Sequence, residues 1–196
     1  VTVTANYEDA KASGSGSNFQ AIQEAIVRGE LQANIKLVVT DKPGAYVETR
    51  AAQFDIPVLA LSPKSFDSKA AYEQAIVDEL RKQDIEWIVL AGYMRLVSET
   101  LLGAYPSKIV NIHPSLLPSF PGKDAIGQAL AHGVKVTGVT VHFVDEGMDT
   151  GPIIAQTAVN VIDGDREQTE EAIHKAEHAL YTAALQQLFA GKVQAK

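Results

Sequence analysis

The chain has 196 residues, with 17 Lys and Arg against 24 Asp and Glu, a net charge of −7, and 46% hydrophobic residues. A chain of this make-up can bury a sizeable core, which excludes a largely disordered polymer, and its acidic balance argues against a nucleic-acid or membrane-surface binder. Cysteine is absent, which removes disulfides, thiolate zinc sites and cysteine nucleophiles together.

No apolar run approaches the roughly 18 residues of a membrane helix. The first residues carry no basic start or apolar stretch of a secretory signal. A cytoplasmic protein forming one domain over residues 1–196 is expected.

The elements are read in chain order. Residues 7–12 hold three charges in six positions, which does not suit a central parallel strand. Residues 1–5 (VTVTA) are therefore the candidate first strand, with a longer connection after them. Residues 18–28 place Phe19, Ile22 and Ile26 at helical spacing, and Gly29 stops the run. A buried strand follows at 35–40, a turn at 41–44, a helix up to Phe54 and a strand at 57–61. Residues 68–83 form a helix with Tyr72, Ile76 and Leu80 on one face. Strands at 87–91 and 108–113 flank a short helix at 98–104. After a Pro-rich loop comes a helix at 124–132. Residues 137–144 then alternate Val139, Val141 and Phe143 against Thr140 and His142, the pattern of a strand with unlike faces. A strand at 152–161 and a long helix at 166–189 complete the chain. Repeated βα units imply a mostly parallel twisted sheet with helices on both faces and an antiparallel edge.

Three stretches can carry chemistry. Ser13-Gly14-Ser15-Gly16-Ser17-Asn18 stands directly before a helix. It reads either as a phosphate-binding turn, through free backbone N–H groups and the helix dipole, or as a flexible loop with an Asn or Ser cap. Phe19 stands where a dinucleotide fingerprint needs its third glycine, and no Gly-Lys-Ser/Thr follows. In Asn111-Ile112-His113-Pro114-Ser115-Leu116-Leu117-Pro118, Asn111 and His113 are two apart at a strand end and share one face. A carboxamide beside an imidazole can hold an oxyanion and move protons; the plainer reading is a pair that satisfies loop backbone. The acidic loop at 145–152 is a solvated turn, or else Asp149 orients a catalytic histidine. His174 and His178 lie one helical turn apart but lack the Glu of a zinc protease. His142 is structural or lines a crevice, and Met94 and Arg95 follow Gly92-Tyr93 at a strand end.

The order of these motifs carries a resemblance. The 13–18 turn, Leu90-Ala91-Gly92-Tyr93-Met94-Arg95, residues 111–118 and the 145–152 loop together resemble the glycinamide ribonucleotide formyltransferases, from about Ser13 to the final helix. The resemblance implies a Rossmann-like formyltransferase fold and transfer of a formyl group from 10-formyltetrahydrofolate, without a metal, to the amine of glycinamide ribonucleotide in purine synthesis. It implies catalytic roles for Asn111, His113 and Asp149. Gly16, Ser17 and Asn18 would take the substrate phosphate, and Glu177 would lie near the amine substrate. The folate pocket would be lined by Leu90, Met94, Arg95, Val97, Asn111 and the 145–149 loop. Lys69 stands where the family commonly has Arg, which keeps the charge but loses the planar fork. The implied partners are small molecules, with no nucleic acid or membrane, and the chain would act as a monomer or homodimer. Methionyl-tRNA formyltransferase shares the Asn-x-His element but would be expected to carry a basic surface and a further tRNA-binding domain. A binding module without catalysis would be expected to lack one of Asn111, His113 and Asp149.

Overall fold

The structure, a computed structural model, describes residues 2–5, 16–93 and 95–193. Seven strands form one sheet in the order β3-β2-β1-β4-β5-β6-β7. They are β1 (Thr2–Ala5), β2 (Leu37–Thr40), β3 (Val58–Ala60), β4 (Ile88–Ala91), β5 (Ile109–His113), β6 (Val136–Phe143) and β7 (Ile153–Asn160). The pairings from β3 through β5 are parallel, and β5–β6 and β6–β7 are antiparallel. The expected mixed sheet is therefore present. Residues Thr2–Ala5 of the VTVTA segment supply an inner strand, between β2 and β4. The charged stretch at 7–12 lies outside the described residues.

Among the described residues, five α-helices connect strands, α1 (Ser17–Val27), α2 (Tyr46–Ala52), α3 (Lys69–Lys82), α4 (Glu99–Ala104) and α5 (Ala125–His132), and α6 (Arg166–Phe189) follows β7. The strands alternate buried apolar residues between two cores, as the pleat requires. Val38, Val89 and Val110 face one core, with Phe19 and Ile22 of α1, Val47 of α2, and Ile173 and Leu185 of α6. Leu37, Val39, Ile88, Leu90 and Ile109 face the other, with Tyr72, Ile76 and Leu80 of α3 and Leu101 of α4. Buried on both faces, these strands read in the sequence as unbroken apolar runs rather than as alternation.

Local signals set the helix ends. Ser68 caps α3 by accepting from the Ala71 N–H at 3.1 Å. Asp124 caps α5, and Gly133, with φ +71°, ends it. Among the described residues no helix is long and apolar enough to cross a membrane.

The chain leaves β1 for β2 and β3 on one side, then returns through α3 to β4 on the other. Strand order reverses at β1 and β4, and a crevice opens beyond the carboxyl ends of strands at such a point. Gly92, with φ +69°, turns the chain out of β4 at this place.

Candidate active site

The crevice holds about 110 Å³ of space that a water-sized sphere can reach and opens to solvent at its mouth. Asn18, Tyr93, Asn111, His113, Asp149 and Glu177 all border it. Five segments far apart in the chain thus meet at one end of the sheet.

Asn111 and His113 sit on β5 and are 8% and 6% exposed. The loop after β5 is pinned from neighbouring strands. Thr140 on β6 donates to the Ser115 carbonyl at 2.7 Å and accepts from the Leu117 N–H at 3.0 Å. Gln156 on β7 donates to the Leu117 carbonyl at 3.0 Å. This loop folds back so that the Phe120 carbonyl lies 2.8 Å from His113 Nε2. Asp149 Oδ2 lies 3.4 Å from His113 Nδ1. Both ring nitrogens therefore face oxygen acceptors.

Asp149 is fixed independently. Its Oδ2 accepts the Gly122 N–H at 2.8 Å, and its backbone is left-handed, with φ +56°. A non-glycine residue in that region is held there by its surroundings. The loop before it is closed by Asp145 Oδ1, which accepts from Gly147 N–H at 3.0 Å and Thr150 Oγ1 at 2.7 Å. Of the two readings of this loop, the structure supports the one in which Asp149 pairs with a histidine.

His142, read from sequence only as structural or crevice-lining, is directly involved. The antiparallel register sets it opposite Asn111. It is 2% exposed, and burial pulls its pKa down, opposed by its hydrogen bond to the Phe143 carbonyl and by Asp149. Nδ1–H donates to Phe143 O at 2.8 Å, which leaves Nε2 as the acceptor for Asn111 Nδ2 at 3.4 Å. The contact fixes the carboxamide and leaves its second amide hydrogen free to point elsewhere. Asp149 Oδ1 lies 3.8 Å from the same Nε2.

Across the crevice, Asn18 on α1 and Glu177 on α6 are 6% and 4% exposed. Burial raises the Glu177 carboxyl to about 8, although the hydrogen bond from Asn18 favours its ionised form. Three buried oxygens that border this space have no hydrogen-bond partner among the described residues: Asn18 Oδ1, Asn111 Oδ1 and Glu177 Oε2. Unpaired buried acceptors each cost about 1–3 kcal/mol, which a ligand rich in N–H or O–H donors would offset.

Gly16 is the N-cap of α1, with φ +78°. A Cβ there would stand 2.9 Å from Val47 Cγ2, so both the backbone and the space demand glycine. Ser17 begins the helix. Ser13, Gly14 and Ser15 of the expected turn lie outside the described residues, as does Met94.

A second depression shares Tyr93, Asn111, Met148 and Asp149 with the first and is walled by Leu90, Arg95, Val97 and His142. A third shares Tyr93 and Arg95 with the second and is bordered by Phe66, Lys69 and Tyr72. Arg95 Nε lies 3.2 Å from Asp41 Oδ2, just past the end of β2. Lys69 donates to the Leu96 carbonyl and stands 4.0 Å from buried Glu73. Glu73 in turn accepts the N–H groups of Ser98 at 3.0 Å and Leu101 at 3.2 Å, which ties α3 to the start of α4. Every described residue of the expected set thus lies on this connected track or, for Gly16 and Ser17, at the helix end beside it.

The chain wall also includes residues that the sequence reading passed over. Arg166 pairs with Asp124 at 2.9 Å and Glu170 at 2.7 Å along the rim. His174, read from sequence only as a weak metal ligand, borders the crevice. No spacing along the chain marks these positions, because α5 and α6 meet only in the fold.

A family model described as formyl transferase matches residues 10–185. The chain belongs to this family, and it is a formyltransferase. It is 56% identical over 178 residues to the phosphoribosylglycinamide formyltransferase of Bacillus subtilis, covering 90% of this chain and 91% of that protein. It is 44% identical over 183 residues to the trifunctional purine biosynthetic protein adenosine-3 of Drosophila melanogaster, covering 91% of this chain but 14% of that longer protein. Among solved structures, the phosphoribosylglycinamide formyltransferase of Bacillus halodurans matches with a TM-score of 0.90 at 52% identity, over 97% of this chain and 96% of the other. The glycinamide ribonucleotide transformylase 1 of Geobacillus kaustophilus matches with a TM-score of 0.89 at 56% identity, over 95% and 96%.

Proposed function

We propose that the chain transfers the formyl group of 10-formyltetrahydrofolate to the primary amine of glycinamide ribonucleotide. The products are formylglycinamide ribonucleotide and tetrahydrofolate, in the de novo route to purines. The observation that carries this reading is the clamp on His113, between Asp149 and the Phe120 carbonyl and beside Asn111 in the crevice.

The residues divide the work as follows. The backbone at Gly16, Ser17 and Asn18 takes the ribonucleotide phosphate at the positive end of α1. The Asn18 oxygen and the Glu177 carboxyl present hydrogen-bonding groups to the same substrate. The formyl-folate lies along Leu90, Arg95 and Val97, with the cations of Arg95 and Lys69 toward its carboxylates. The amine nitrogen attacks the formyl carbon, a C–N bond forms, and the carbonyl electrons move to oxygen. Asn111 donates to that oxyanion, and the positive charge of protonated His113 stabilises it. Asp149 holds the imidazolium and helps a proton pass from the attacking amine to the folate nitrogen as the old C–N bond breaks. As written the step uses no metal. One such stabilising group contributes about 3 kcal/mol, roughly a hundredfold in rate.

The test is an assay of tetrahydrofolate release with 10-formyltetrahydrofolate and a panel of amines. Turnover is expected with glycinamide ribonucleotide and not with glycinamide lacking the ribosyl phosphate. Equal turnover with both, or none with the ribonucleotide, refutes the reading. The phosphate assignment has its own check. Gly16→Val is expected to raise the KM for the ribonucleotide by about tenfold or more, since neither the positive φ nor the space beside Val47 admits a branched side chain. Folate affinity should stay within about twofold, because that track does not touch the turn. Calorimetry showing wild-type affinity of the variant for glycinamide ribonucleotide would reject the assignment.

A further inference from the structure

Tyr181 lies on α6 one turn after Glu177, and its side chain is fully buried. Its hydroxyl donates to the Leu90 carbonyl of β4 at 2.6 Å, and the Val110 carbonyl of β5 stands 3.3 Å from the same oxygen. Leu90 and Asn111 are register partners across the β4–β5 seam, and Val110 immediately precedes Asn111. The phenol thus sits over the seam at the last residues before both strands enter the crevice.

A buried hydroxyl costs free energy unless it finds an acceptor, and a phenylalanine would fill nearly the same space without that cost. The buried side chains of Ile173, Ala184, Leu185 and Leu188 on the same helix are apolar and carry no directional preference. The Tyr181 hydroxyl supplies direction. It ties the helix that carries Glu177 to the two strands that carry Leu90 and Asn111. Oxyanion donors act only when held close to the productive position, and displacement by about 1 Å can cost up to a hundredfold.

We propose that Tyr181 is a positioning residue for the formyl transfer, clipping the ends of β4 and β5 to α6 so that the Asn111 carboxamide is held toward the reacting carbonyl. The inference rests on the role given to Asn111 above.

The test is a double-mutant cycle on the full chain with saturating 10-formyltetrahydrofolate and glycinamide ribonucleotide. Tyr181→Phe alone is expected to lower kcat by about tenfold, with both KM values within about twofold. In an Asn111→Ala background the same change is expected to have no effect on kcat, because the group it positions is gone. Thermal unfolding of Tyr181→Phe should show a fall in Tm of only a few degrees, well above the assay temperature. A wild-type kcat in Tyr181→Phe overturns the proposal and leaves the hydroxyl a purely structural hydrogen bond. An equal loss in both backgrounds also overturns it, since Tyr181 would then act elsewhere. If Asn111→Ala itself keeps wild-type kcat, the reading of the catalytic unit fails instead, and the clip fails with it.

Discussion

His113→Ala is expected to lower kcat by about a hundredfold or more, with little change in either KM, because the oxyanion it stabilises exists only in the transition state. Asn111→Ala should behave alike. Asp149→Asn keeps the shape, and asparagine tolerates the left-handed backbone that Asp149 adopts at φ +56°. It removes the charge 3.4 Å from His113 Nδ1 and so leaves the imidazolium without its counter-ion. Its kcat should fall, and the pH–rate profile should change shape. The three groups act on one transition state, so their losses should not add. The double variant His113→Ala with Asp149→Asn should be little worse than the poorer single variant. Steady-state kinetics across pH on the four proteins decide the matter. Near-wild-type kcat in His113→Ala, or losses that multiply in the double variant, would break the unit apart.

The second large effect concerns stability and falls on Glu177. Its carboxyl is raised from 4.5 to about 8, mainly by burial, with Asn18 as a partly compensating donor. In the unfolded chain it titrates near its ordinary value, so between pH 4.5 and 8 the folded state holds a proton that the unfolded state releases. The sign is therefore a loss of stability as pH rises. This one group should make the fold about 2–3 kcal/mol less stable at pH 7 than at pH 5. Glu177→Gln keeps the volume and cannot ionise. Urea unfolding at pH 5 should find the variant close to the wild type, and at pH 8 the variant should be the more stable of the two. A gap that does not widen with pH would show that the carboxyl is not buried as described. His142, His174 and His178 act in the opposite direction. Burial lowers each of them, so the stability they contribute is present above 6.5 and is lost as pH falls below it.

The Glu177 effect also has a functional meaning. A carboxyl kept out of water beside an Asn18 oxygen that has no partner among the described residues is a costly arrangement for a folded protein. It is the kind of local conflict that concentrates at functional sites, where a ligand supplies the missing partners. The same holds for Asn111, whose Oδ1 is buried without a partner although its Nδ2 is held by His142.

Much of this protein was legible along the chain. Apolar runs such as residues 37–40 and 88–91 can be buried on both faces only inside a parallel sheet, so the architecture follows from local patterning. Asn111 and His113 share a face because the strand period is two, and no tertiary knowledge is needed to see it. Gly16 declares itself by standing at a helix entry among small polar residues. What lies beyond the sequence is register. Whether residues 1–5 formed a strand at all depended on two partners, β2 and β4, that flank them in the middle of the sheet. His142 looked like one polar position in an alternating strand until the β5–β6 pairing set it opposite Asn111. Asp149 came to His113 only through the closure of the 145–149 loop, and Glu177 came to Asn18 only because α6 packs against α1 across one face of the sheet. Periodicity along a chain fixes which way a side chain points from its own element, because that depends on local backbone geometry. It does not fix which distant side chain waits there, because that is decided by strand pairing and helix packing, which are summed over the whole molecule.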